Sequence, residues 1–203
     1  MVDDAHRESH VPPKLRAQVY DLCNAIGACL DQSPRLAIPA LVLVYAAIDG
    51  MAWVSIADGR DDVNGLDFQA WAKSYLLPDS GLDCDEADLW AARCGLVHGQ
   101  VMDSRIARAG KARHVWYYVG PGNRYLMPLH EQSREMPTTL HIDALVVAFL
   151  RAIDRFFDAI EREPELQRVV WARVNRYFDD VRAHGRPGGE GSWVETIPAV
   201  FDN

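Results

Sequence analysis

Arg93 and His98 stand five residues apart in the run Arg93-Cys94-Gly95-Leu96-Val97-His98, close to the end of an expected helix and just before Gly99. A guanidinium is a fixed positive charge, and an imidazole exchanges protons near neutrality. Brought to one phosphate, the two suffice for cleaving a phosphodiester without a metal. The imidazole moves protons on and off the ester oxygens, and the guanidinium stabilises charge building on the phosphorus-bound oxygens. The alternative is an ordinary helix end. Arg93 would then pair with Asp88 or Glu86 on its own helix, and His98 would face the carbonyl end of the dipole before a glycine cap. On an ideal helix five residues turn through about 500°, which leaves the side chains about 140° apart, so the arginine has to swing to meet the histidine.

Asp49 is the third candidate. It is the only ionisable carboxylate between Leu36 and Ala57. A charge in so apolar a helix needs a partner. Arg93 and His98 are the natural ones if the two helices pack, and a tyrosine or backbone group is the alternative. Arg93, His98 and Asp49 form the candidate catalytic set. The apolar stretch is long enough to cross a bilayer. Asp49 near its middle, and Asp58 in place of a basic flank, favour a buried central helix and no membrane association.

Other chemistries find little support. His6 and His10 stand four apart, but His114, His130, His141 and His184 are scattered and no H-E-x-x-H occurs, so no metal site is expected. There is no glycine-rich phosphate loop and no G-x-S-x-G, so no cofactor is expected either. Cys23, Cys29, Cys84 and Cys94 form no C-x-x-C pair, which fits a reduced, cytoplasmic protein. The N-terminus, with His6, Arg7 and Glu8, lacks the apolar core of a signal peptide.

The net charge of −8 argues against a protein that coats nucleic acid indiscriminately. Its distribution is uneven. Residues 58–88 hold nine acidic side chains against Arg60 and Lys73, and residues 93–130 hold six basic ones against Asp103. Two solvated faces would explain this. An anion-binding strip beside the Arg/His motif would also explain it, with Arg105, Arg108, Lys111 and Arg113 as its binding residues.

The elements that must position these groups are mostly helical. Leu15, Val19, Leu22, Ile26 and Leu30 recur at helical spacing. A second helix follows Ser33-Pro34, a cap and first-turn proline, and runs to about Ala57, apolar all round. A third spans about Leu66 to Leu77. A fourth, capped by Asp83 or Asp85, buries Ala87, Trp90, Cys94 and Val97 and carries Arg93 and His98. From Arg113 to Leu129 the composition turns to β-branched and aromatic residues around Gly120-Pro121-Gly122-Asn123, which reads as a β-hairpin. Helices over about 142–160 and 164–181 complete a single domain of residues 1–183, followed by a glycine-rich tail, 184–203. The expected fold is all-α, an up-down bundle of five to six helices with a small β-hairpin insertion.

Three ordered segments resemble the HEPN superfamily, in particular a bacterial HEPN-like branch. They are Ala47-Ile48-Asp49-Gly50-Met51-Ala52, then Phe68-Gln69-Ala70-Trp71-Ala72-Lys73-Ser74-Tyr75-Leu76, then Leu89-Trp90-Ala91-Ala92-Arg93-Cys94-Gly95-Leu96-Val97-His98-Gly99. The last is similar to the family's arginine, polar residue, Gly-Leu-Val/Leu-His signature. The resemblance covers about Leu15 to Gly99. It implies a helical bundle that forms a homodimer, with an Arg and a His from each protomer meeting at the two-fold axis. It further implies a metal-independent endoribonuclease, often the toxin of a toxin–antitoxin or defence system, with an antitoxin or a nucleotidyltransferase-type protein as partner. Other members are silent dimeric modules that bind RNA or protein. The residue after the arginine is commonly Asn, Asp or His in active members, and here it is Cys94.

Overall fold

The computed structural model describes residues 10–57, 60–99, 104–120 and 137–178. Helix α1 covers Pro13–Leu30 and turns Leu15, Val19 and Ile26 inward. Helix α2, Ala37–Val54, is the centre of the domain, packed by α1 and by the later helices. It begins after Leu36 with no side-chain cap, so Ser33-Pro34 lies ahead of the helix rather than in its first turn. Among the described residues α2 is the one helix long and apolar enough to cross a membrane, yet half of it is buried within the domain. Tyr45, Leu41, Val44 and Ile48 have no exposed surface, as a core helix requires.

Helix α3, Gly65–Trp71, starts at a capping box in which Asn64 and Asp67 each accept the other's backbone N–H. The expected single helix to Leu77 does not persist in one form. From Ala72 to Leu76 the backbone widens into a π-helical turn. Helix α4, Glu86–Gly99, opens on the same device, with Asp85 Oδ1 accepting from Asp88 N at 2.8 Å and Asp88 Oδ2 accepting from Asp85 N at 3.2 Å. Its buried face is Leu89, Ala92 and Leu96 with Asp88, Ala91 and Gly95, not the expected Ala87, Trp90, Cys94 and Val97, which are only partly covered. A short helix α5, Arg105–Arg108, was not expected; Ser104 caps it through its hydroxyl.

The described partner of the first expected strand is not the segment next in sequence. Strand β1, Val115–Tyr118, pairs in parallel with β2, Thr138–His141, in the register Val115↔Thr138 to Tyr118↔His141. A two-residue turn joins only antiparallel strands, and a parallel pair needs a crossover of a dozen residues or more. Residues 119–137 supply that length. The proposed second strand, 124–129, lies outside the described residues, as does the tail 184–203. Helix α6, Ile142–Arg162, follows β2 directly, and His141 Nδ1 caps it by accepting from Asp143 N. Helix α7, Pro164–Tyr177, packs on α6 and reaches α2. The described fold is thus seven α-helices, a π turn and a two-stranded parallel sheet.

Candidate active site

Helices α2 and α4 pack together and bring Asp49 and Arg93 into contact. Arg93 Nε donates to Asp49 Oδ2 at 2.7 Å, and Nη2 lies 2.6 Å from the same oxygen. Arg93 Nη1 lies 2.6 Å from His98 Nε2. The arginine therefore does swing across the 140° separation, and all three candidate catalytic residues form one chain. It pairs with neither Asp88 nor Glu86, whose partners are Arg113 and Lys73. The arginine and aspartate side chains keep 15% and 16% of their surface exposed, while His98 is exposed. The three residues thus sit at the rim of the bundle, with His98 facing solvent.

Two residues hold Arg93 that the sequence reading had not singled out. Its guanidinium stands over the Trp90 ring, 5.2 Å from the centroid. That indole also meets α3 at Gly65, where an added Cβ would lie 2.7 Å from the Trp90 ring. Gly65 is therefore required by close approach. An aromatic three residues before an arginine on one helix was the available signal, because such pairs lie side by side.

A guanidinium only donates, so Nε2 is the accepting nitrogen of His98 and the ring proton sits on Nδ1. That neutral form has its basic nitrogen turned toward Arg93. Burial pushes the Asp49 carboxyl above its ordinary range, and the hydrogen bond and charge of Arg93, with that of His98 when its ring is protonated, pull it back only in part. Its Oδ1 is buried with no hydrogen-bond partner among the described residues. Cys94 is half-buried, and burial raises its thiol despite Arg93, so it is a neutral neighbour rather than a thiolate nucleophile.

Of the four candidate binding residues, one is drawn away from His98. Arg105, Arg108 and Lys111 are exposed on the segment that follows α4. Arg105 is close enough to act on the Cys94 thiol. Arg113 instead reaches the opposite end of α4, where its backbone N and its Nε bond Asp88 at 2.7 and 2.9 Å. Given the 14 residues of α4, the two ends are about 20 Å apart. Among the described residues no three His, Cys, Asp or Glu side chains converge as metal ligands. In comparisons with known proteins, no family model, no curated protein and no solved structure matches this chain.

Proposed function

We propose that the protein is a HEPN-type, metal-independent endoribonuclease of the cytoplasm, acting as a homodimer. The observation that carries this reading is the Asp49–Arg93–His98 chain at the rim of the bundle. Asp49 fixes one edge of the guanidinium and so positions Arg93. Three of its five N–H groups face Asp49 and His98, and the remainder can meet a phosphate oxygen.

An arriving phosphate competes for Arg93 Nη1 and releases His98 Nε2. The imidazole then takes the proton of the ribose 2′-hydroxyl as its oxygen bonds to phosphorus. The bond from phosphorus to the 5′-oxygen breaks, and a second imidazole gives that oxygen a proton. One protomer has one such histidine, so the second comes from the partner copy. The products are a 2′,3′-cyclic phosphate and a 5′-hydroxyl, and DNA is inert because it lacks the nucleophile. An RNase of this kind would act as a toxin or defence protein, held in check by an antitoxin or a nucleotidyltransferase-type partner.

The test is cleavage of mixed synthetic RNA in EDTA, with end-group analysis and light scattering. Cyclic-phosphate ends, EDTA-resistant activity and a dimer are expected. Activity that EDTA removes, or that acts on DNA, overturns the mechanism. A second reading, a silent HEPN-like dimer that binds RNA or protein, is favoured by Cys94 after the arginine. An ordered dimer that binds RNA without cutting it would establish that reading instead.

A further inference from the structure

Asp49 and His98 hold the guanidinium of Arg93 at two points. Nε and Nη2 both meet a single oxygen of Asp49, Oδ2, at 2.7 and 2.6 Å, rather than one oxygen each as in a fork-to-fork pair. Nη1 lies 2.6 Å from His98 Nε2. Two points define a line, and a planar group held on a line is still free to tilt about it. Cys94, the next residue, adds only a neutral thiol, which is a weak partner. The tilt matters, because the N–H bonds that face neither residue lie in the guanidinium plane. A phosphate oxygen that accepts from them sits where that plane points.

Trp90 supplies the missing constraint. It lies three residues before Arg93 on α4, a spacing that sets side chains next to one another. Arg93 Cζ stands over its ring, 5.2 Å from the centroid. A ring face resists tilting in a way that a point contact does not. The indole is in turn fixed from α3. Its centroid is 5.3 Å from that of Phe68, at an interplanar angle of 50°, and Phe68 has no exposed surface. At Gly65 an added Cβ would lie 2.7 Å from Trp90 Cε2 and Nε1 and 2.9 Å from Cζ2. An indole is rigid and cannot fold away from such a contact, so either the ring or the helix has to shift.

We propose that Trp90 is a positioning residue for the reaction: its ring sets the plane of the Arg93 guanidinium, and Gly65 sets the ring. Asp49 anchors the arginine, and Trp90 aims it. The inference rests on the ribonuclease reading for the phosphate that Arg93 meets, while the coupling from Gly65 through Trp90 to Arg93 is measured without substrate. The effect falls on turnover rather than affinity. A phosphate still finds the positive charge of a tilted guanidinium, but a displacement of about 1 Å at the reacting atoms costs on the order of a hundredfold in rate.

The experiment has two arms, both on the full chain. The first follows the Arg93 side-chain nitrogens by NMR in the free ¹⁵N-labelled protein, assigned by their loss in Arg93→Lys. A guanidinium held in one plane gives separate Nη1 and Nη2 signals, and one that turns over gives a single averaged signal. Separate signals are expected in wild type and in Trp90→Phe, which keeps a ring face, and an averaged signal in Trp90→Leu, which does not. Gly65→Ala should average the signals as well, although it alters neither Trp90 nor Arg93. The second arm measures RNA cleavage. Trp90→Leu and Gly65→Ala should each lower kcat about tenfold or more with KM changed by less than about twofold, and Trp90→Phe should restore kcat to within about threefold of wild type. If Trp90→Leu does not fold, Gly65→Ala and Trp90→Phe carry both arms. A wild type that cleaves no RNA sinks the ribonuclease reading, and the first arm then decides whether Trp90 positions Arg93. Separate Nη signals in Trp90→Leu and Gly65→Ala alike, or a rise in KM with kcat unchanged, overturn the proposal.

Discussion

Helix α4 takes part in two Asp–Arg pairs, one at its start and one that leads from its middle to its finish, and the two are opposites. At its start Asp88 is 1% exposed and every oxygen is used. Oδ1 accepts from Arg113 N, and Oδ2 from Arg113 Nε and Asp85 N, with Arg113 Nη2 at 2.7 Å. At its finish Asp49 gives one oxygen to Arg93 and leaves the other without a partner, and the arginine hands on to an exposed histidine. The first pair is saturated and joins the helix start to the chain entering β1. The second is open and unfinished. Residue types alone do not separate the two; what does is how many donors meet each carboxylate.

That contrast can be broken by mutation. The largest effect is expected at the open end. His98→Ala and Arg93→Ala should each lower RNA cleavage by about a thousandfold or more, since in the proposed mechanism each removes a group acting on the reacting phosphate. Because His98 is exposed, His98→Ala should change stability by no more than about 0.5 kcal/mol in a denaturant titration. Wild-type cleavage by both variants would remove the site. At the closed end the pattern reverses. Asp88→Ala should cost about 3 kcal/mol, as it loses a helix cap and a buried ion pair, with cleavage per folded molecule unchanged. A loss below about 1 kcal/mol would make this pair as dispensable as one on the surface.

Asp49→Asn probes the link between positioning and chemistry. It keeps the shape but loses the charge that aligns Arg93, and a tenfold to about hundredfold fall in kcat with little change in KM is expected. A fall in KM affinity alone would assign Asp49 to substrate binding. Arg108→Glu with Lys111→Glu should weaken RNA binding and lower the slope of log K against log salt by about two. An unchanged slope would reduce the segment after α4 to scaffold.

The smallest effect concerns pH. The Asp49 carboxyl is raised by folding, because burial outweighs Arg93. Such a group contributes stability at pH below its ordinary value, and loses it as pH rises through the raised one. Asp49→Asn is neutral throughout, so wild type should lose stability relative to it as pH climbs out of the acid range. A difference between the two that is flat with pH in thermal melts would mean that Arg93 fully offsets burial.

Much of this comparison was legible in the sequence, and some of it was not. Asp49 stood out because an ionisable group in an apolar helix is costly, and the same cost led to Arg93 as its partner. Asp88 was hidden, since it lies in a run with Asp83, Asp85 and Glu86 that reads as a solvated first turn. Only the fold brings Arg113 back across 25 residues to bury it. The same event removed Arg113 from the strip around His98. The described pairing of β1 was missed for a related reason. Turn residues beside a β-rich run give a strong local signal, but the partner strand was Thr138–His141, whose pairing no local pattern encodes. Likewise, α3 was located to within a residue or so, while its π turn is met by a hydrogen bond from Arg155 far along the chain.

The parallel pairing of β1 with β2 has a consequence for the order in which the protein is made. Asp49, Trp90, Arg93 and His98 have all been synthesised once residue 99 is in place, and α2, α3 and α4 already pack against one another. Helix α6 is anchored through β2, which cannot pair until residue 141 exists, and α7 comes later still. At ordinary rates of translation the ribosome needs on the order of ten seconds to reach the end of α7. For that interval the apolar faces of α2 and α3 that α6 and α7 will cover face solvent. The nascent chain therefore carries Asp49, Arg93 and His98 on a half-built core, and the C-terminal helices act as a late clasp that covers it.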